Sequence, residues 1–235
     1  MNVEIAVIGG TGLSELAPVV EQRDGIAVCR VGERCVAFLN RHGPGHRLPP
    51  HAIDYRANLA ALAGIGVGTI LSTFACGSLV PQHGPGTLVV PDQLIDRTRG
   101  RKDTFHDTFE AGPAHASFAE PYDDHARSTL LAAAPGAVDG GTVVLIDGPR
   151  FATRAESRSY RALGGTLVNM TQYPESVLAR ELGIAYAAIG LVTDYDAGVD
   201  DRPEIEAVTQ ESALAELARH LPALRAAVLR AATLV

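Results

Sequence analysis

The sequence predicts an α/β fold: one domain over residues 1–235, with a central mixed β-sheet flanked by helices. Three observations carry this expectation. Short β-branched runs recur along the chain and barely alternate apolar with polar, which suits strands covered on both faces. Between them lie segments whose apolar residues stand three or four apart, the spacing of a helix with one buried side. Hydrophobic residues make up 46% of the 235, enough for a sizeable core and against disorder.

The first strand is expected over residues 3–8 and is ended by Gly9-Gly10-Thr11-Gly12. A second, over 36–39, runs straight into RHGPGHRLPPH. Tyr55, Leu59 and Leu62 then mark a helix face. Strands follow over 69–73, 87–90, 142–146, 166–170 and 185–193. A helix over 174–182 opens with proline and glutamate, a favourable first turn, and stops before Gly183. Leu214, Leu217, Leu221, Leu224 and Val228 trace one face of a long C-terminal helix, which Pro222 should kink or start afresh. Residues 99–124 are polar, carry histidines and lack a period. They read as a long excursion over the surface or onto a neighbouring subunit.

Net charge is −7 with no run of like charges, which argues against nucleic acid or an anionic membrane as partner. Three cysteines without a CxxC pair suggest reduced thiols in the cytoplasm. The N-terminal segment has no basic region before its apolar stretch, unlike a signal peptide, and no apolar run reaches the ~18 residues that span a bilayer.

Chemistry-bearing residues gather at strand ends. Gly9-Gly10-Thr11-Gly12 lets backbone approach an anion and adds a hydroxyl, though a tight turn explains it as well, and the third glycine of a dinucleotide fingerprint is replaced by Glu15. Arg41-His42 suits phosphate, the arginine as a bidentate fork and the histidine as a second donor; an exposed polar loop is the plain alternative. His42, His46 and His51 invite a metal, but Gly43-Pro44-Gly45 and Pro49-Pro50 forbid a helical face for them, so no metal site is expected. In STFACGSL, residues 72–79, small side chains leave room at a sheet edge, and Cys76 reads as a buried structural thiol. Phe151, in GPRFATRAES, offers a ring to stack on a flat heterocycle or to anchor the core. In NMTQYPES the helix start and the Thr171 hydroxyl suit an anion, or Thr171 simply caps the helix. Asp194 and Asp196, in TDYD, would face the same way on an extended backbone. A buried carboxyl there can donate a proton to a ring nitrogen; an acidic turn is the alternative.

Taken together, the segments IGGTGL (8–13), RHGPGH (41–46), YRANLAAL (55–62), ACGSL (75–79), DQLIDRT (92–98), GPRFATRAES (148–157), NMTQYPESVLAREL (169–182) and TDYD (193–196) resemble the trimeric purine nucleoside phosphorylase family, in particular its methylthioadenosine phosphorylase branch. They appear in family order across residues 3 to about 200. The resemblance implies the nucleoside phosphorylase/hydrolase-like fold, a homotrimer with shared sites, inorganic phosphate as co-substrate and no further cofactor. It implies a phosphate cradle of Thr11, Arg41, His42, Ala75 and Thr171. Met170 would lie under the ribose and hold its hydroxyls through the main chain, Asn169 would be a further substrate-binding residue, and Phe151 would stack on the base. Asp194 would face purine N7 and Asp196 the 6-amino group, and His115 of HASFAEP would be lent by a neighbouring subunit to the 5′ end.

Three positions depart from the family pattern. Ala152 replaces the glutamate of 6-oxopurine members, which argues against inosine and guanosine. Phe74 stands where the branch often has threonine, so a phosphate hydroxyl is lost or is supplied by Thr73. Aligning Ala207-Val208 to the family puts Gln210 and Ala213 where bulky aliphatic residues usually wall the 5′ pocket. The expected reaction is phosphorolysis of S-methyl-5′-thioadenosine. Adenosine, 5′-deoxyadenosine or a 5′-halogenated adenosine are the alternatives, and a nucleoside hydrolase or a non-catalytic nucleoside binder are competitors from other classes.

Overall fold

A computed structural model describes residues 2–110, 112–198 and 206–235. In chain order its strands are β1 (Ile5–Gly9), β2 (Val19–Arg23), β3 (Ile26–Val31), β4 (Arg34–Asn40), β5 (Thr69–Ser78), β6 (Leu88–Val90), β7 (Gln93–Asp96), β8 (Val138–Asp139), β9 (Thr142–Leu145), β10 (Leu167–Asn169) and β11 (Ala185–Asp194). The helices are α1 (Tyr55–Gly64), α2 (Asp124–Ala133), α3 (Arg154–Ala162), α4 (Gln172–Glu181) and α5 (Gln210–Leu234). The strands form one mixed sheet with β5 at its hub.

β1 runs parallel to β4 on one side and to the first residues of β5 on the other, Ile8 opposite Ser72. β5 is longer than β1, so its far end is free, and β10 joins it there antiparallel with Val168 opposite Gly77. β11 follows β5 in parallel along the other edge, from Ala185 opposite Thr69 to Asp194 opposite Gly77. The carboxyl ends of β1 and β4 therefore form a step beneath the overhanging ends of β5 and β11.

Both sides of the sheet are covered. Ala6 and Ile8 of β1 pack with Leu59 and Leu62 of α1 and Leu178 of α4. Ile5 and Val7 pack on the other face with Leu130 of α2 and Leu217, Leu224 and Val228 of α5. This double cover is why the strand sequences do not alternate. The helices begin at side-chain caps: Asp54 accepts from Ala57 N–H, Asp123 from Ala126 N–H, and Thr153 and Thr209 each form a capping box. No helix among the described residues is long and apolar enough to cross a membrane.

Several elements differ from the sequence expectations. The strand expected over 69–73 continues to Ser78, so the small residues of ACGS lie inside it. β2 and β3 form an antiparallel hairpin around Asp24-Gly25, both at positive φ, and this pair was not expected because Val19–Arg23 is largely polar and half-exposed. The short β7 and β8 and the helices α2 and α3 are likewise additional. α5 passes through Pro222 as one helix rather than starting afresh; Leu217 before it and Leu224 and Val228 after it are held in the same apolar cluster. The excursion over 99–124 carries no helix or strand before Asp124 among its described residues. Its first part is pinned to α4: Asp103 accepts from Tyr173 OH (2.6 Å), and Glu181 accepts from the Thr104 hydroxyl and the Phe105 N–H, both at 2.6 Å.

Leu130 is fully buried between sheet and helices, whereas Val20 is 46% exposed on the edge hairpin. Leu130→Ala is expected to cost about 2–5 kcal/mol of stability by urea unfolding, and Val20→Ala to stay within about 0.5 kcal/mol.

Candidate active site

The step in the sheet encloses a cleft of about 190 Å³, and the residues singled out in the sequence converge on it. Thr11 comes from the turn after β1, Arg41 and His42 from the turn after β4, and Ala75 from the overhang of β5. Asn169, Met170 and Thr171 end β10, Asp194 and Asp196 end β11, and Phe151 and Gln210 close the remaining sides. His115 does not line this cleft; it stands exposed on the excursion with its ring edge-on to Phe109, centroids 5.3 Å apart.

Arg41 is 1% exposed, and its fork does not point at an open anion site as its sequence suggested. Nε and Nη2 donate to the two carboxylate oxygens of Glu175, at 2.6 and 2.9 Å. Nη2 also donates to Ser72 Oγ and Nη1 to the Thr73 carbonyl, both at 2.6 Å. A guanidinium has five N–H donors, so one, on Nη1, remains for a ligand. The bidentate partner is thus a carboxylate of this chain: a buried cation needs a buried anion. Gly10 makes room, since a β-carbon there would lie 2.8 Å from Nη1. Glu175 was read only as a helix start. The missed signal is its place one turn before Leu178 and Ala179, on the buried face of α4.

The phosphate-type residues differ in detail from expectation. His42 Nδ1 lies 2.8 Å from the Leu48 carbonyl, and burial, with Arg41 and His46 nearby, holds its pKa down at about 4. No α-helix forms here, yet a short turn at Pro44–His46 stacks His42 on His46 with ring centroids 4.0 Å apart. Thr171 does not cap α4 through its side chain. Asn169 Oδ1 takes that role, accepting from Thr171 N–H (2.8 Å) and Gln172 N–H (2.9 Å), while Asn169 Nδ2 donates to Ala75 O (2.9 Å). The N–H groups of Thr171 and Gln172 are therefore engaged by Asn169, and the Thr171 hydroxyl, which lines the cleft, also donates to Asn169 Oδ1 at 3.3 Å. Phe74 is 2% exposed with its ring against Gly190, and Thr73 Oγ1 sits between Ile8 O and Gly10 N–H. Thr73 therefore does not replace the hydroxyl absent at Phe74.

The two acids do not share an extended backbone. β11 is irregular between Val192 and Asp194, and the chain then turns, with Asp196 at φ 51°. Asp194 Oδ1 accepts from Asp196 N–H (2.8 Å) and Oδ2 from the Thr193 hydroxyl (2.7 Å). Burial outweighs these bonds and lifts the Asp194 pKa to about 6, the charge of Asp196 adding to the rise. Asp196 is 3% exposed, burial raises its carboxyl too, and its Oδ2 has no hydrogen-bond partner among the described residues. Such a buried acceptor awaits a donor. Gly77 is required beside them: a β-carbon there would lie 2.7 Å from Asp194 Oδ1 and 3.1 Å from Asp196 Cβ.

Cys76 is buried, as expected, with its thiol raised well above the usual range by burial and then by Asp194. Ala152 packs against an apolar cluster with Val144, Ile146 and Tyr160. Gln210 is exposed at the cleft rim, so its amide keeps water, and the wall beside it is Ala213, Leu214 and Leu217. The leucines were read from the sequence only as a helix face.

A family model described as the phosphorylase superfamily matches residues 4–230. The chain is 48% identical over 241 residues to S-methyl-5′-thioadenosine phosphorylase of Mycolicibacterium smegmatis, a match spanning 97% of this chain and 89% of that protein. It is 44% identical over 217 residues to 6-oxopurine nucleoside phosphorylase of Pyrococcus furiosus, spanning 84% of this chain and 82% of that one. Among solved structures, methylthioadenosine phosphorylase from Schistosoma mansoni in complex with adenine superposes with a TM-score of 0.90 at 34% identity, covering 99% of this chain and 91% of that one.

Removing the carboxylate from the buried pair leaves an uncompensated cation. Glu175→Gln is expected to destabilise the chain by about 3–5 kcal/mol in chemical denaturation, although Glu175 lies behind the cleft wall.

Proposed function

This chain belongs to the phosphorylase superfamily, and on that premise we propose that it is a pentosyltransferase that phosphorolyses 5′-modified adenine nucleosides, first among them S-methyl-5′-thioadenosine, to adenine and 5-methylthioribose 1-phosphate. The observation that carries this reading is the unpartnered, buried Asp196 Oδ2 beside an Asp194 carboxyl lifted to about 6. The first is an acceptor suited to an exocyclic amine, and the second a proton donor suited to a ring nitrogen. Ala152 brings no carboxylate for a 6-oxopurine.

In the proposed reaction, phosphate lies against Thr11, the free Arg41 N–H, His42, the backbone at Ala75 and the Thr171 hydroxyl. Phe151 stacks on the base, and Asn169 and Met170 flank the ribose. As the C1′–N9 bond breaks, its electron pair moves into the purine. Asp194 passes its proton to N7, and a phosphate oxygen bonds to C1′. The chain supplies position and charge stabilisation rather than a covalent intermediate. Residues 1–235 act as one catalytic domain, with phosphate as co-substrate and no other cofactor. The enzyme works as a cytoplasmic homotrimer in which His115, exposed on the excursion, reaches a neighbour's 5′ pocket.

Apolar Ala213, Leu214 and Leu217 favour a thioether at the 5′ end. Gln210 on the rim favours a second reading, in which adenosine, 5′-deoxyadenosine or a 5′-halogenated analogue is the better substrate.

Adenine release measured across these nucleosides and inosine, with and without phosphate, tests the proposal. Phosphate-dependent release, fastest from S-methyl-5′-thioadenosine and slowest from inosine, is expected. Undiminished release without phosphate would establish a hydrolase, and equal or faster turnover of adenosine would refute the methylthio assignment. Asp194→Asn should lower turnover about 10²–10⁴-fold. Since the donor is the protonated form and its pKa is raised to about 6, wild-type kcat/KM at saturating phosphate should fall as pH rises through that value. The Asp194→Asn profile should lack this limb, and a limb unchanged in the variant would assign the proton elsewhere. Asp196→Asn should narrow the preference for 6-amino over 6-oxo purines, read as the ratio of their kcat/KM values.

A further inference from the structure

The segment RHGPGHRL folds back on itself, so that Leu48 N–H donates to His42 O (3.0 Å) while His42 Nδ1 meets Leu48 O (2.8 Å). A carbonyl oxygen only accepts, so the ring proton sits on Nδ1. The nitrogen left for the cleft is Nε2. Burial, then Arg41 and the stacked His46, hold the ring neutral at physiological pH, against the hydrogen bond to the Leu48 carbonyl and the charge of Glu175. Nε2 therefore presents a lone pair, where the sequence had suggested a donor.

Beyond Thr11 and the backbone at Ala75, the rest of the cradle is poor in donors. Arg41 keeps one free N–H, and its charge is compensated by Glu175 at contact distance. The Thr171 N–H and hydroxyl both donate to Asn169 Oδ1, the Thr73 hydroxyl is held by the turn after β1, and Phe74 brings no hydroxyl. Such a site fits an anion that carries a hydrogen of its own.

Building on the phosphorolysis reading, we propose that His42 selects the protonation state of the oxyanion: the cleft takes a tetrahedral anion bearing an O–H, monohydrogen phosphate, whose hydroxyl donates to His42 Nε2. Sulfate has the same shape and charge but no hydrogen at neutral pH. Its oxygen would set a lone pair against that of Nε2, which a buried site penalises.

The test is adenine release at neutral pH with phosphate as acceptor, arsenate as a second hydrogen-bearing acceptor, and sulfate as competitor. Arsenate should replace phosphate, and the sulfate Ki should exceed the phosphate KM by about tenfold or more. In His42→Asn, and separately in His42→Gln, an amide that turns either its oxygen or its NH₂ toward the anion should bring sulfate Ki and phosphate KM closer together. That ratio would not move if His42 merely held the loop. A wild-type sulfate Ki equal to the phosphate KM, or a ratio unchanged in both variants, would overturn the proposal while phosphorolysis stands. Adenine release indifferent to phosphate and arsenate alike would instead remove the phosphorolysis reading, and this inference with it.

Discussion

The arrangement of the cleft depends on one buried ion pair. Arg41 leaves the end of β4, Glu175 stands in the first turn of α4, and Ser72 and Thr73 of β5 receive the remaining guanidinium bonds. Tyr186 of β11 closes the set, its hydroxyl 2.8 Å from Glu175 Oε2. Charges this far from water persist only when matched and fully hydrogen-bonded. The pair consequently dictates how β4, β5, β11 and α4 meet, and with them the walls of the site. It also alters the role of the arginine, whose positive charge is already answered inside the protein.

The main features of this design were legible in the sequence because the chemistry lies at strand ends, where glycines, threonines and acids interrupt apolar runs. Thr11, Arg41, His42, Asn169, Met170, Thr171, Asp194 and Asp196 could all be named; the parallel strands β1, β4, β5 and β11 bring their carboxyl ends to one side, and β10, running antiparallel along the far end of β5, carries Asn169, Met170 and Thr171 back to meet them. What escaped was tertiary. Glu175 looks like an ordinary helix-start acid until its burial is known. The tautomer of His42 depends on a carbonyl six residues on. The hairpin of β2 and β3 did carry a signal, the Asp24-Gly25 turn pair, but the polar Glu21-Gln22-Arg23 before it masked the strand. The excursion over 99–124 has no period to read, because side-chain bonds to α4 rather than backbone pairing hold its first part in place.

The acids show how local geometry differentiates like groups. Asp194 is tied into a turn through both oxygens, whereas Asp196 adopts left-handed backbone and keeps one oxygen unpaired in a dry environment. Gly77 sits against both, and no larger residue could occupy it without displacing a carboxylate. Burial raises both carboxyls, yet only one of the pair retains an unsatisfied acceptor, so the two are chemically unequal before any ligand arrives.

One backbone contact ties these parts together. The carbonyl of Asp196 accepts from Val208 N–H at 2.8 Å, just ahead of the Thr209 cap from which α5 departs. The residue whose carboxylate lines one part of the cleft is thus hydrogen-bonded through its own carbonyl to the segment that seats the helix lining another part. The two walls are therefore mechanically coupled, and a lineage or an engineer reshaping one would have to retune the other in step rather than exchange the two as separate modules.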